Sequence, residues 1–208
     1  MNFVIVIAHQ KGGVGKSTIA SNLAVELSKK YSISILDLDM QKSLSYFNTL
    51  RKDSDKIEVL HIKNFDEFQK IVNCNNKILL IDVGGFDSDL NRAAILSADI
   101  ILTPVSDSAI ELVGLLSFKR ILSEVRKHRS DLQAHILLNR IHTSASTSLN
   151  QIREFIENNN EFKLLDSIIR DRVEYKKAFE SGLSVNEYSK TGKAASEINK
   201  LIKEVVKV

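Results

Sequence analysis

Gln10-Lys11-Gly12-Gly13-Val14-Gly15-Lys16-Ser17-Thr18 is the stretch from which the rest of the chain is read. Three glycines in four positions let the backbone curl until several N–H groups converge on one anion. The preceding residues, Ile5 to Ala8, are apolar and β-prone, and the pattern from Ser17 onward is helical. A strand, a glycine turn and a helix N-terminus in that order form a cradle for phosphate. Gly12, Gly13, Val14, Gly15 and Thr18 supply its backbone, Lys16 is placed to reach the terminal phosphates of a nucleotide, and the Ser17 hydroxyl suits Mg²⁺. The common pattern GxxxxGK[ST] requires a glycine at position 10, where this chain has Gln10. A second cation, Lys11, sits on the loop instead.

Working outward, short β-branched runs alternate with longer amphipathic stretches. The strand-like runs are Phe3–His9, Ile33–Leu38, Ile57–Ile62, Lys77–Val83, Asp99–Val105, Ala134–Asn139 and a weaker one at Leu164–Ile169. Ser17–Lys30 places Ile19, Leu23 and Leu27 on one helical face, and Ser108–His128 does so with Leu112, Leu115, Leu116, Phe118 and Leu122. The strand cores Ile78–Ile81, Ile100–Leu102 and Ile136–Leu138 are apolar throughout, as in strands buried on both faces. The expected fold is α/β, a mostly parallel central sheet with helices on both faces. Ligands of such sheets bind at the C-terminal ends of the strands. Pro104 is expected to close its strand, because proline cannot continue a central ladder.

Three other strand ends carry candidate chemistry. Asp37 and Asp39 end the second run, and strand alternation would turn both to one side. Paired carboxylates there suit a cation, for which Asp37 is a candidate ligand, or a positioned water. Ile78-Leu79-Leu80-Ile81 delivers one carboxylate, Asp82, which would hold Mg²⁺ through a bound water. Gly84-Gly85 follows, where a mobile backbone could report the γ-phosphate. Asn139-Arg140 ends the sixth run, and the amide of Asn139 carries both a donor and an acceptor for a purine edge.

The string KGGxGK[ST]T resembles the deviant Walker A box of the ParA/MinD family of dimerising ATPases, and the chain is most similar to its short ParA members. The likeness runs from Val4 to about Val205. It implies a P-loop NTPase fold as one domain, residues 1–208, that binds ATP with Mg²⁺ and forms a nucleotide-sandwich homodimer. It implies catalytic roles for Lys16, for Lys11 reaching the partner subunit's nucleotide, and for Asp39 orienting the attacking water. Met40 stands where the family has proline. It implies that Asn139 and Arg140 contact the adenine. It also implies that Arg170, Arg172, Lys190 and Lys193 grip double-stranded DNA without regard to sequence. The activity implied is slow ATP hydrolysis, stimulated by a centromere-binding (ParB-like) partner and driving segregation of plasmid or chromosomal DNA.

Composition constrains the alternatives. The 208 residues, 43% hydrophobic and 26% charged, suffice for one full α/β core. A net charge of +3 permits a polyanionic partner without demanding one. One cysteine, Cys74, excludes an internal disulfide framework and paired-cysteine metal sites. Phe3 to Ala8 is too short for a signal-peptide core, so a cytoplasmic protein is expected, and the resemblance to the ParA family implies that it associates with the nucleoid. A loop starting within ten residues of Met1 leads us to expect no N-terminal DNA-reading domain. A MinD-like membrane positioner would need a free amphipathic helix, yet Ile198, Leu201, Ile202, Val205 and Val206 read as a stripe packed on the sheet. A small-molecule ligase on the same fold would have no use for Lys11. A second basic run, Lys119-Arg120 and Arg126-Lys127-His128-Arg129, could extend a DNA-binding patch or merely solvate a helix.

Overall fold

The computed structural model describes residues 3–74, 76–108, 110–142 and 147–207. Its continuous apolar runs become strands whose side chains divide between two faces. In β1 (Phe3–Ile7), Val4 and Val6 join one buried cluster while Ile5 and Ile7 join another. In β4 (Ile78–Asp82), Leu79 and Ile81 go to the first and Leu80 to the second. That division follows from the two-residue period of a strand and is why these runs need no polar alternation.

The remaining strands are β2 (Ile33–Asp37), β3 (Glu58–Leu60), β5 (Ile100–Val105), β6 (Ala134–Ile141) and β7 (Phe162–Arg170). They form one seven-stranded sheet in the order β3-β2-β4-β1-β5-β6-β7, with every neighbouring pair parallel. All seven expected strands are present. The edge strand β3 is shorter than expected and the opposite edge, β7, is longer. Helices α1 (Lys16–Ser28), α2 (Ser43–Thr49), α7 (Val173–Glu180), α8 (Val185–Tyr188) and α9 (Lys193–Val205) cover one face. Helices α3 (Phe65–Cys74), α4 (Asp89–Ser97), α5 (Glu111–Val125) and α6 (Thr147–Glu157) cover the other.

Three expectations change. Pro104 does not end its strand but lies inside β5, in register with Leu137. The Leu102 carbonyl accepts the last bond from the β1 side, from Ala8 N–H. Pro104, two residues on, faces that same side beyond the β1–β5 register, so its missing N–H interrupts no ladder there. Leu116 is half exposed rather than part of the buried face of α5, which is built from Leu115, Phe118 and Leu122. The second basic run is largely structural. Arg126 donates to the Leu132 and Asn160 carbonyls, Arg129 to those of Leu96 and Ala98, and Lys119 to Asn159. The α9 stripe behaves as expected at Ile198, Leu201 and Val205, which are buried in the core, while Val206 is half exposed.

Candidate functional site

The C-terminal ends of β1, β2, β4, β6 and β7 surround a cleft of 820 Å³ lined by the glycine loop, Lys16, Ser17, Thr18, Asp39, Gly85, Asn139, Arg140, Arg170 and Arg172. The loop leaves β1 and turns through Gly13 (φ 78°) and Gly15 (φ 94°), the latter capping α1. Both angles lie in the left-handed region that favours glycine. Gly15 is also crowded, since a Cβ there would lie 2.3 Å from Asn139 Nδ2. Gly15→Ala should therefore destabilise the fold by about 2–4 kcal/mol, read as a lowered denaturation midpoint. Gly85 lies against the loop from the β4 side, where a Cβ would stand 3.1 Å from the Gln10 carbonyl.

Lys16 is buried at the start of α1, and its Nζ donates to the Lys11 carbonyl at 3.1 Å, curling back over the loop. Burial lowers its pKa from the ordinary lysine value, with Asp82 and Asp39 opposing part of that shift. Asp82, at the end of β4, is fully buried, and neither carboxylate oxygen has a well-formed hydrogen bond. Burial pushes its pKa up to about 7; the Ser17 hydroxyl beside it opposes the rise, and Asp37 adds to it. A buried carboxylate with no well-formed hydrogen bond among the described residues, next to a hydroxyl and facing a phosphate cradle, fits a divalent cation held mainly by phosphate oxygens and water. Among the described residues no cluster of three His, Cys, Asp or Glu side chains offers a self-sufficient metal cage. The donors thus suit Mg²⁺ arriving with a nucleotide.

The two acids of the second strand part company. Asp37 is the last residue of β2, in register with Asp82. Its oxygens accept the N–H groups of Asp39 (3.2 Å) and Ser45 (2.8 Å), which fixes the loop into α2. Asp39 lies past the strand end, so alternation no longer governs it. It accepts Gln41 N–H at 2.9 Å and lines the cleft. The same-side expectation for the pair rested on a strand two residues longer than the one formed.

Asn139 and Arg140 both brace the glycine loop. Asn139 Nδ2 donates to the Val14 carbonyl at 2.6 Å, and Arg140, at a left-handed φ of 57°, donates to the Gly13 carbonyl at 3.0 Å. The register shifts between β6 and β7 around these residues accommodate that backbone. Of the four basic residues assigned to DNA, Arg170 and Arg172 line the cleft. Arg172 binds Glu197 Oε1 through both Nε and Nη2. Lys190, in the turn between α8 and α9, and Lys193, the first residue of α9, are exposed.

Lys11 has a partner that the sequence reading missed. Its Nζ lies 2.6 Å from Glu111 Oε1, in the first turn of α5, and its N–H donates to His9 Nδ1 at 2.9 Å. Glu111 is 1% exposed. An acid opening a helix ordinarily reads as a dipole-compensating surface charge, and nothing local in the sequence turns this one inward. Burial, followed by the charges of Lys16 and Lys11, drives His9 down to about 3, so its imidazole is neutral.

A parallel sheet delivering a glycine phosphate cradle, a buried lysine and an unpartnered aspartate to one cleft defines a nucleotide-binding P-loop fold. Residues 5–185 match the family described as the CobQ/CobB/MinD/ParA nucleotide binding domain. The chain belongs to that family and is a ParA/MinD-type ATPase. It is 26% identical over 210 residues to maintenance of carboxysome distribution protein A of Halothiobacillus neapolitanus, covering 98% of this chain and 96% of that protein. Among solved structures it resembles a putative plasmid partition protein of Borrelia burgdorferi bound to AMPPNP. That match has a TM-score of 0.74 at 17% identity and covers 100% of this chain and 99% of the other. The MinD cell division protein of Aquifex aeolicus is similar at a TM-score of 0.75 and 17% identity, with 99% and 97% covered.

Proposed function

We propose that this chain is a single-domain positioning ATPase of the partition type. It binds ATP with Mg²⁺, pairs with a second copy across two nucleotides, holds DNA without sequence preference and hydrolyses ATP slowly until a partner protein speeds the reaction. The observation that carries this reading is Lys11. It is a second loop cation whose side chain is held to α5 rather than directed into its own cradle. Beside it, Ile110, Val113 and Leu116 place an exposed apolar stripe at the start of α5, a surface suited to a second copy of the chain.

The chemistry follows from the placements. Lys16 would neutralise the terminal phosphates, and Ser17 and Asp82 would hold Mg²⁺, which supplies charge stabilisation to the transferring phosphoryl group when bound. Asp39, at the cleft wall, would orient the attacking water. Lys11 of the neighbouring subunit would add positive charge as it develops in the transition state, much as an arginine finger does. Hydrolysis should then depend on protein concentration.

For cargo, DNA is favoured through Lys190 and Lys193, which are exposed. Arg172 is a weaker candidate, being engaged with Glu197. The cargo moved would be a plasmid or chromosomal region; the relative named for carboxysome distribution makes a protein body the competing cargo. Among the described residues no helix is long and apolar enough to cross a membrane, and the apolar side of α9 packs on the sheet. The test is molecular size with ATP, ADP and no nucleotide, followed by co-sedimentation with plasmid DNA and with anionic vesicles. An ATP-specific dimer retained on DNA is expected, its affinity falling about 100-fold between about 50 and 200 mM salt if four cations engage. Retention on vesicles instead of DNA, or turnover only with a small-molecule acceptor, would overturn the reading.

A further inference from the structure

Among the buried titratable groups that this chemistry does not use, His9 and Glu111 face each other. Glu111 Oε1 accepts Lys11 Nζ at 2.6 Å and the Ser106 hydroxyl at 2.8 Å. Among the described residues Glu111 Oε2 has no hydrogen-bond partner, and 3.6 Å away His9 Nε2 has none either. Because His9 Nδ1 accepts Lys11 N–H, the ring proton of the neutral imidazole sits on Nε2, aimed at the carboxylate. The lysine is therefore tied at both its N–H and its ammonium to one pocket of its own subunit.

We propose that Glu111 is a positioning residue that latches Lys11 within its own subunit, and that the Glu111–His9 pair takes up one proton when Lys11 leaves to serve the partner's nucleotide. The inference rests on the dimer reading above and adds to it a condition for release. If the ammonium swings away, the carboxylate stays behind, buried, with the Ser106 hydroxyl as its hydrogen-bond donor among the described residues and the neutral His9 ring 3.6 Å away. A buried charge that loses its partner is strongly disfavoured. Either the lysine stays or the pocket acquires another positive charge. Among the described residues, the charged groups around His9 are Lys16, Lys11 and the Glu111 carboxylate facing its Nε2, with Asp82 and Asp39 lying beyond Lys16.

Lys11 and Lys16 both oppose an imidazolium, though burial opposes it most. Release of Lys11 removes one of these charges and triphosphate on Lys16 offsets the other, while the freed carboxylate attracts a proton. One proton enters from solvent for each latch opened and is shared by the pair, and Lys11 departs as an ammonium, so the charge balances. The released state thus binds one more proton than the latched state, and dimer formation tightens as pH falls. The window opens above about 3, where His9 in the latched chain is already neutral.

The test has two readouts. Lysine acylation followed by mass spectrometry of the nucleotide-free protein should find Lys11 protected in the wild type and several-fold more reactive in Glu111→Gln. Equal reactivity would overturn the latch whether or not a dimer forms. Sedimentation with a non-hydrolysable ATP analogue and Mg²⁺ between about pH 6 and 8.5 reads the proton. Wild-type association should weaken with rising pH, by up to tenfold per unit for each latch. Glu111→Gln should associate more tightly at pH 8. It should also lose that slope, so the slope difference between the two proteins separates the latch from the opposing titration of Asp82. His9→Asn keeps an acceptor for Lys11 N–H but cannot hold a proton, and should leave Lys11 protected while flattening the slope. A wild-type slope in either variant would overturn the proton step. Absence of any ATP dimer, with Lys11 still protected in the wild type and reactive in Glu111→Gln, would sink the dimer reading and leave the latch standing.

Discussion

Alanine at Lys16 will abolish nucleotide binding, weakening it about 1,000-fold or more, whereas alanine at Lys11 will leave binding within about threefold and remove hydrolysis. The two lysines are five positions apart, yet the structure gives them opposite settings. Lys16 is buried beside Asp82 and Asp39, two carboxylates that a triphosphate must approach. Without it, three or four phosphate charges meet those acids unscreened, and a loss of about 4 kcal/mol is a modest expectation in a desolvated site. Lys11 is 34% exposed and directed to Glu111, so its own nucleotide should scarcely notice its removal. Its contribution is expected in the transition state of the partner's site, where a cation supplied in trans is worth about 1,000-fold or more. Titration with a fluorescent ATP analogue, together with turnover measured at several protein concentrations, separates the two. A Lys11→Ala protein with wild-type turnover would refute the shared site. Lys11→Ala should also weaken the nucleotide-free fold by about 1–3 kcal/mol, because it strands the buried Glu111 carboxylate. Activity is therefore compared at a temperature where both proteins are folded.

Much of the fold could be read in advance because its signals are local and repeated. Apolar runs such as Leu79–Ile81 can be satisfied only by burial on two faces, and the sheet that results divides them residue by residue. The glycine loop was legible for a similar reason: left-handed backbone at Gly13 and Gly15 needs a residue without a side chain. What could not be read were contacts made between distant segments. Glu111 meets Lys11 across 100 residues of sequence, and Asn139 meets the Val14 carbonyl across 125. Sequence pattern offers a purine-reading role for an amide at a strand end, but only the fold shows that amide tied to the loop backbone. Asp37 and Asp39 illustrate a different shortfall. The period-two rule was sound, but β2 ends at Asp37, and strand ends are set by bonds such as Ser45 N–H to Asp37 that no local pattern announces.

Asn in place of Asp82 should stabilise the nucleotide-free chain and disable it. Burial holds the Asp82 carboxyl at about 7, against an ordinary aspartate near 3.8. Between those two values the folded chain keeps a proton that the unfolded chain releases. Stability therefore falls as pH rises through that window and levels off above about 7. Above it the native state carries a buried carboxylate with no well-formed hydrogen bond. Asp82→Asn removes that charge while keeping the shape, and should gain about 1–3 kcal/mol at pH 8, the gap narrowing as pH falls toward about 4. Binding of Mg²⁺ with nucleotide has the opposite sign, because the cation and the proton compete for the same oxygens. Wild-type affinity for the Mg²⁺ nucleotide complex should rise with pH up to about 7, and the variant should lack that component and turn over about 100-fold more slowly. Urea unfolding of both proteins at pH 5 and pH 8 isolates the carboxylate from every other titrating group, since only the difference between them is read. A variant less stable than the wild type at pH 8 would mean that Asp82 is satisfied within the folded chain, and the case for it as a site kept open for a cation would fail with it.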